Sequence, residues 1–169
     1  MRTRHIALFT AAALAALGRP CEAGGWPMFR GNAARTGCAS EQAAPPLTRA
    51  WDFQAGGGGV SSPVIYDGRV YFGARDGMLY ALDGANGRLL WKFPANGRIE
   101  ASPSVYGGSV YAVSADGNLY SVNRLTGGFN WKAELGAPSF SSPLPADGRV
   151  YVGTSLPQNR LKAFDAAIG

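Results

Sequence analysis

Four-stranded antiparallel sheets repeated about every 40 residues, an all-β architecture, are predicted by three observations. First, Gly makes up 24 of 169 residues, about twice the usual share of roughly 7%, without a Gly-X-Y period, which signals many tight turns. Second, landmarks recur at a fixed offset: Ser62-Pro63, Ser102-Pro103 and Ser142-Pro143; Val70-Tyr71, Val110-Tyr111 and Val150-Tyr151; Trp51, Trp91 and Trp131. Third, the turn dipeptides between them repeat in step: Asp67-Gly68, Gly107-Gly108 and Asp147-Gly148, then Asp76-Gly77 and Asp116-Gly117. At 46% hydrophobic and 11% aromatic residues, the chain can bury enough surface to offset its ordering entropy, which excludes intrinsic disorder. With two Cys, a disulfide-stapled miniprotein is excluded too.

The amino terminus comes first in the chain. Arg2, Arg4 and His5 form a basic region, residues 6–17 are almost wholly apolar, and Gly18-Arg19-Pro20 ends the run before Ala23. Twelve residues of helix span about 18 Å, short of the roughly 30 Å hydrocarbon core. Residues 1–23 are therefore predicted to be a signal peptide and not a membrane span, with a mature chain starting near Gly24. Lipidation at Cys21 is a rival, but Arg19 and Pro20 stand where a lipobox needs small residues. After cleavage Cys38 is the sole thiol. Residues 24–49 form a lead-in segment, and residues 50–169 the repeats.

Each unit divides at its glycine dipeptides into four runs, in the first copy 60–66, 69–74, 78–83 and 88–93. Asp-Gly between strand-like runs signals a two-residue I′ hairpin, so each unit is predicted to be a four-stranded meander. Val70-Tyr71-Phe72 and Val150-Tyr151-Val152 are apolar on both faces, so both faces of each sheet must be covered. Repeated sheets that cover one another are the blades of a β-propeller. In the third copy Leu161, Asp165 and Gly169 fall 42 residues after Leu119, Asn123 and Gly127. Two residues are thus inserted near Leu156-Pro157-Gln158, in a connection. An outer strand around Trp51, two full units and a partial third give twelve expected strands. Propellers close with about 4 to 8 blades of four strands, so the expectation is an incomplete ring: a fragment, or several chains that donate strands to one another. Open blade edges should then self-associate.

Charge excludes one class of partner. The first 23 residues hold Arg2, Arg4 and Arg19 against Glu22, leaving 13 basic and 10 acidic side chains, a net +3. These are scattered singly, with no patch for phosphate backbones, so no nucleic-acid binding is expected.

WD40 propellers share the period, but their Gly-His is lacking and Trp-Asp occurs only at Trp51-Asp52. Ala81-Leu82-Asp83-Gly84-Ala85-Asn86-Gly87-Arg88-Leu89-Leu90-Trp91 instead resembles the tryptophan-docking motif Ala-x-Asp-x-x-Thr-Gly-Lys-x-x-Trp of the pyrroloquinoline-quinone (PQQ) type propeller repeat, also called quinoprotein-like or BamB-like. Residues 121–131 hold a degenerate copy with Asn123, Thr126, Gly127 and Trp131 in register, and residues 163–169 begin a third. Trp26-Pro27-Met28-Phe29-Arg30-Gly31-Asn32 and Arg35-Thr36-Gly37 are similar to the segment preceding the first blade in exported members. The expected structural docking residues are Trp51, Trp91, Trp131, Asp83, Gly87, Asn123 and Gly127. Gly87 and Gly127 supply positive φ, Asp83 and Asn123 accept backbone N–H bonds, and the indoles bury against an adjacent blade.

The resemblance implies three classes of function: PQQ-dependent and calcium-dependent alcohol or sugar dehydrogenases, non-enzymatic envelope scaffolds, and sensor ectodomains of larger receptors or kinases. Vicinal cysteines, common in the dehydrogenases, are lacking, as is Cys-x-x-Cys-His for haem. Asp67, Asp76, Asp83, Asp116, Asp147 and Asp165 all fall at turns, where Asp serves the backbone. Residues 83–87 lack the later bidentate Glu of a calcium loop. The sole His is His5, and Ser61-Ser62 and Ser141-Ser142 have no base beside them. The expectation is therefore a periplasmic or secreted, non-catalytic scaffold or binding module, with no catalytic, cofactor or metal residue and no cofactor. Its partner would be an envelope protein or a small ligand; the channel-end loops 55–59 and 155–159 are candidate rims for it, against the alternative, given more weight, that both are plain connections.

Overall fold

The computed structural model describes residues 26–31 and 46–169; the expected signal peptide and both cysteines lie outside them. The described residues form eleven strands: β1 Val64–Tyr66, β2 Arg69–Gly73, β3 Met78–Asp83, β4 Leu89–Pro94, β5 Ser104–Tyr106, β6 Ser109–Val113, β7 Asn118–Asn123, β8 Phe129–Glu134, β9 Leu144–Ala146, β10 Arg149–Gly153 and β11 Leu161–Asp165. They make sheets β1-β2-β3-β4, β5-β6-β7-β8 and β9-β10-β11, all antiparallel meanders. The all-β, blade-like architecture read from the repeat is what the chain adopts, and no closed ring forms among the described residues. No described helix is long and apolar enough to cross a membrane.

The turns explain the period. Asp67 and Gly68 both have positive φ (52° and 68°), as do Asp147 and Gly148 (50° and 73°), the I′ geometry that matches strand twist. In the second copy only Gly107 of the Gly-Gly pair is left-handed. Asp76-Gly77 and Asp116-Gly117 depart from the expected I′ pattern. Only the glycines are left-handed, their N–H groups donate to Ala74 O and Ser114 O at 3.1 Å, and each Asp carboxylate holds the turn instead. Asp76 accepts from Met78 N–H at 2.9 Å and Tyr80 OH at 2.5 Å. Asp116 accepts from Asn118 N–H at 3.0 Å and Tyr120 OH at 2.5 Å.

Two strand expectations need correction. The run 60–66 yields a strand only from Val64, because Pro63 carries no N–H for a ladder; Ser61 instead exchanges bonds with Gly73 at 2.9 and 3.0 Å. No strand forms around Trp51, so the count is eleven and not twelve. A strand needs a hydrogen-bonded partner, and none lies beside residues 51–55 among the described residues. That segment covers the first sheet with side chains instead: Phe53 meets Phe72 and Tyr80 edge-on at 6.2 and 5.7 Å.

The core is built between sheets. Val64, Tyr71, Leu79 and Trp91 of the first sheet pack with Ile99, Val105, Val110 and Val122. Tyr111, Leu119 and Trp131 of the second pack with Leu135, Val150 and Val152. The middle strands are buried on both faces because each sheet is a wall for the next. Strands β1, β5 and β9 lie next to one another, which places the inner edges of the sheets around a common axis.

Candidate functional site

The docking residues lie at the end that carries the β1–β2 and β3–β4 turns. Asp83 Oδ1 accepts from Ala85 N–H at 2.9 Å, and Asn123 Oδ1 accepts from Leu125 and Thr126 N–H at 2.9 and 3.1 Å. Gly87 and Gly127, at φ 73° and 74°, close these turns. A Cβ at Gly87 would fall 2.6 Å from the Trp51 ring, one at Gly127 2.8 Å from Trp91, and one at Gly169 2.9 Å from Trp131. Each indole thus lies on the glycine of the next unit, so the residues of one sequence motif work across the unit boundary. Trp51 Nε1 donates to Gly84 O at 2.9 Å and Trp91 Nε1 to Arg124 O at 3.1 Å.

Around Arg124 the joint is reinforced. Its carbonyl also accepts from Tyr71 OH at 3.2 Å. Its guanidinium pairs with Asp67 at 2.9 Å and lies 5.2 Å from the centre of the Tyr66 ring. Tyr111 OH repeats the bond one sheet on, donating to Ala166 O at 2.8 Å. Burial pushes the phenols of Tyr71 and Tyr111 above their ordinary value, so both remain donors. These groups fasten sheets together.

The opposite end, with the β2–β3 turns and the sheet-to-sheet connections, is open. A cleft of about 490 Å³ is lined by Gly58, Gly59, Val60, Arg75, Glu100 and Phe140, with Ile99 beneath. Val60, Glu100 and Phe140 occupy the same place in three successive units, and their convergence follows from the radial packing. Arg75 Nε donates to Glu100 Oε1 at 2.8 Å, with Arg98 at 4.0 Å. Val60 and Phe140 are 61% and 52% exposed. The result is an apolar rim beside a neutralised carboxylate.

Of the two expected rim loops, 55–59 contributes Gly58 and Gly59 to this cleft. Loop 155–159 lies at the same end, where Gln158 Nε2 donates to Gly136 O at 3.1 Å. There a recess of about 270 Å³ is lined by Asp116, Asn118, Glu134 and Gly136. Arg75, Glu100 and Phe140 were not singled out from the sequence; their shared period with Val60 is the signal that could have found the last two.

No carboxylate cluster that could hold a metal ion forms among the described residues, where no three His, Cys, Asp or Glu side chains converge. The carboxylates of Asp67, Asp76, Asp83, Asp116, Asp165 and Glu100 are each engaged by an arginine, a hydroxyl or backbone N–H groups.

No curated protein matches the chain by sequence. Among solved structures, a europium-containing methanol dehydrogenase superposes with a TM-score of 0.75 at 20% identity, over 86% of this chain and 31% of the other. The quinohemoprotein alcohol dehydrogenase of Comamonas testosteroni gives 0.74 at 20% identity, over 86% and 26%. BamB from Moraxella catarrhalis gives 0.59 at 25% identity, over 70% and 37%. The chain spans between 26% and 37% of the length of these proteins. A family model described as outer membrane protein assembly factor BamB, a PQQ-type repeat, matches residues 39–169, and the chain belongs to that family of PQQ-like β-propeller repeats.

Proposed function

We propose that the chain is a non-catalytic propeller segment that binds a protein partner in the cell envelope during assembly of outer-membrane proteins, on the periplasmic side to which residues 1–23 would direct it. The connection-end cleft carries this reading. Its carboxylate is held by Arg75 at 2.8 Å, so Glu100 is not a free base or metal ligand, whereas the exposed Phe140 and Val60 rim suits burial of an apolar partner segment. The family description and the 25% identity to a BamB favour a protein as the occupant over a small ligand.

A dehydrogenase segment is the second reading, favoured by the higher TM-scores with the two alcohol-oxidising enzymes. One experiment separates them. A photo-crosslinking amino acid replaces Phe140 in the full chain produced in a Gram-negative periplasm, and purified chain is separately given PQQ with calcium or europium and assayed for alcohol-dependent dye reduction. The scaffold reading expects a crosslink to a subunit of the outer-membrane assembly machinery and no dye reduction. Dye reduction, or crosslinking confined to abundant bystander proteins, would overturn it.

A further inference from the structure

The inner sheet edges around the axis are not bare. Residues 26–31 lie outside the 40-residue repeat, yet they are built into it. Trp26 N–H donates to Ile65 O of β1 at 2.5 Å, and Ile65 N–H donates to Trp26 O at 2.7 Å, a reciprocal antiparallel pair. One residue on, Pro27 O accepts from Val105 N–H of β5 at 2.6 Å. Met28 is 7% exposed. Its carbonyl accepts from Gly31 N–H at 2.9 Å, closing a turn in which Gly31 lies under the Trp26 ring, 3.2 Å from a Cβ placed there. Two neighbouring sheets are thus bridged at their inner edges by one three-residue stretch.

The third sheet cannot take part in the same way. Ile65 pairs with Val70, Val105 with Val110 and Pro145 with Val150, so Pro145 holds the position of the two donors and has no N–H to give. Among the described residues the accepting edge is therefore confined to the first two sheets, and it presents a fixed pattern: a donor and an acceptor at Ile65, then a donor at Val105.

We infer that the inner edges of β1 and β5 form a binding site for an extended peptide of aromatic-proline-apolar pattern, and that residues 26–28 are its resident intramolecular occupant. Strand addition supplies affinity through the main chain, and the side chains supply selectivity. The buried Met28 is the side chain the site selects; the indole folds onto Gly31 of the same segment and fixes the peptide's own turn, and proline is tolerated because Pro27 contributes only an acceptor. A peptide from a partner must displace this segment, which belongs to the same chain and so competes intramolecularly. The site is thus closed to weak ligands by the chain itself. This inference does not rest on the scaffold reading, since the occupant is the chain's own.

The test uses the full chain with one protease site introduced between residues 36 and 40 and cut after purification. The probe is a fluorescein-labelled peptide, Gly-Gly-Trp-Pro-Met-Phe-Arg-Gly, the sequence of residues 24–31. The cut protein is expected to take up the peptide about tenfold or more tighter than the uncut chain, and to ignore a version with both Trp and Met changed to Ala. Uptake equal in cut and uncut protein, or none in a cut protein whose circular dichroism still shows its sheets, would overturn the inference. Should cutting unfold the chain, Trp26→Ala in the uncut chain decides. Amide exchange at Ile65 and Val105 faster by about tenfold, together with newly gained peptide uptake, supports the site; unchanged exchange overturns it.

Discussion

Trp91 shows how a single side chain joins two sheets. It is 8% exposed, covers Gly127 and donates to Arg124 O at 3.1 Å. Trp91→Ala is expected to cost roughly 3–5 kcal/mol, read as a lowered urea midpoint. Gly127→Ala should also destabilise, since it combines a 2.8 Å clash with a φ of 74°. Part of that cost is the clash alone, so the glycine substitution should be less harmful in the Trp91→Ala background, with a coupling of about 0.5–3 kcal/mol. Strict additivity would show that the two residues do not meet. Asp116 and Tyr120 make a second residue-scale case, with opposite signs. Burial pushes the Asp116 carboxyl up, but hydrogen bonds from Tyr120, Asn118 and Ser114 outweigh it, and the folded group titrates below its ordinary 3.8. Its contribution is complete at neutral pH and is lost as pH falls from 3.8 through the lower folded value. Tyr120 is pushed from 10.0 up to about 12, by burial first and then by its bond to Asp116. That contribution is complete below pH 10 and is lost as pH rises toward 12. Tyr120→Phe should flatten the alkaline limb of a stability-against-pH curve, leaving a remainder from Tyr71, Tyr80 and Tyr111, which are also raised. It should shrink the acid limb as well, because without that bond the Asp116 carboxyl is held less far below 3.8. A curve unchanged on both limbs would contradict the assignment.

At the scale of elements, what recurs was legible and what occurs once was not. The glycine turns, the buried Val-Tyr pairs and the indoles repeat because each sheet meets the next in the same way, so a fixed offset exposed them together. The start of β1 was misplaced because the Ser-Pro landmark, read as part of a strand, bends the chain away from the ladder. Residues 51–55 were expected as a strand because strand pattern is local while pairing is not. The inner strands hold one position that no pattern would have marked. Ser104 of β5 stands where β1 has Val64 and β9 has Leu144; it is fully buried, and its hydroxyl has no hydrogen-bond partner. An unsatisfied buried hydroxyl costs about 1–3 kcal/mol. Ser104→Ala is therefore expected to raise the melting temperature, by an amount corresponding to about 1 kcal/mol once the small void is counted. A lowered melting temperature would mean that the hydroxyl is satisfied in solution.

At the scale of the whole molecule, three sheets set around an axis create features no single repeat contains. Val60, Glu100 and Phe140 are equivalent by period but differ in kind, so self-comparison discards them as mismatches although radial packing gathers them into one cleft. The same geometry leaves a free edge. In the first two sheets β3 and β7 are flanked on both sides, by β2 and β4 and by β6 and β8; β11 is flanked by β10 alone among the described residues. Leu161 on β11 and Ile168 beyond it are 76% and 78% exposed. An edge strand with unpaired backbone groups and apolar side chains is a template for another strand. A polypeptide of these 169 residues should therefore self-associate, with a weight-average mass in sedimentation velocity that rises with concentration. Leu161→Lys with Ile168→Lys changes two exposed side chains and should leave the fold intact, yet set like charges along that edge, shifting the population toward monomer in low salt and less so in high salt. If the unmodified polypeptide were a monomer at every concentration, the β11 edge would have to be covered by the chain itself, and the double lysine variant should then lower the unfolding midpoint instead of the mass.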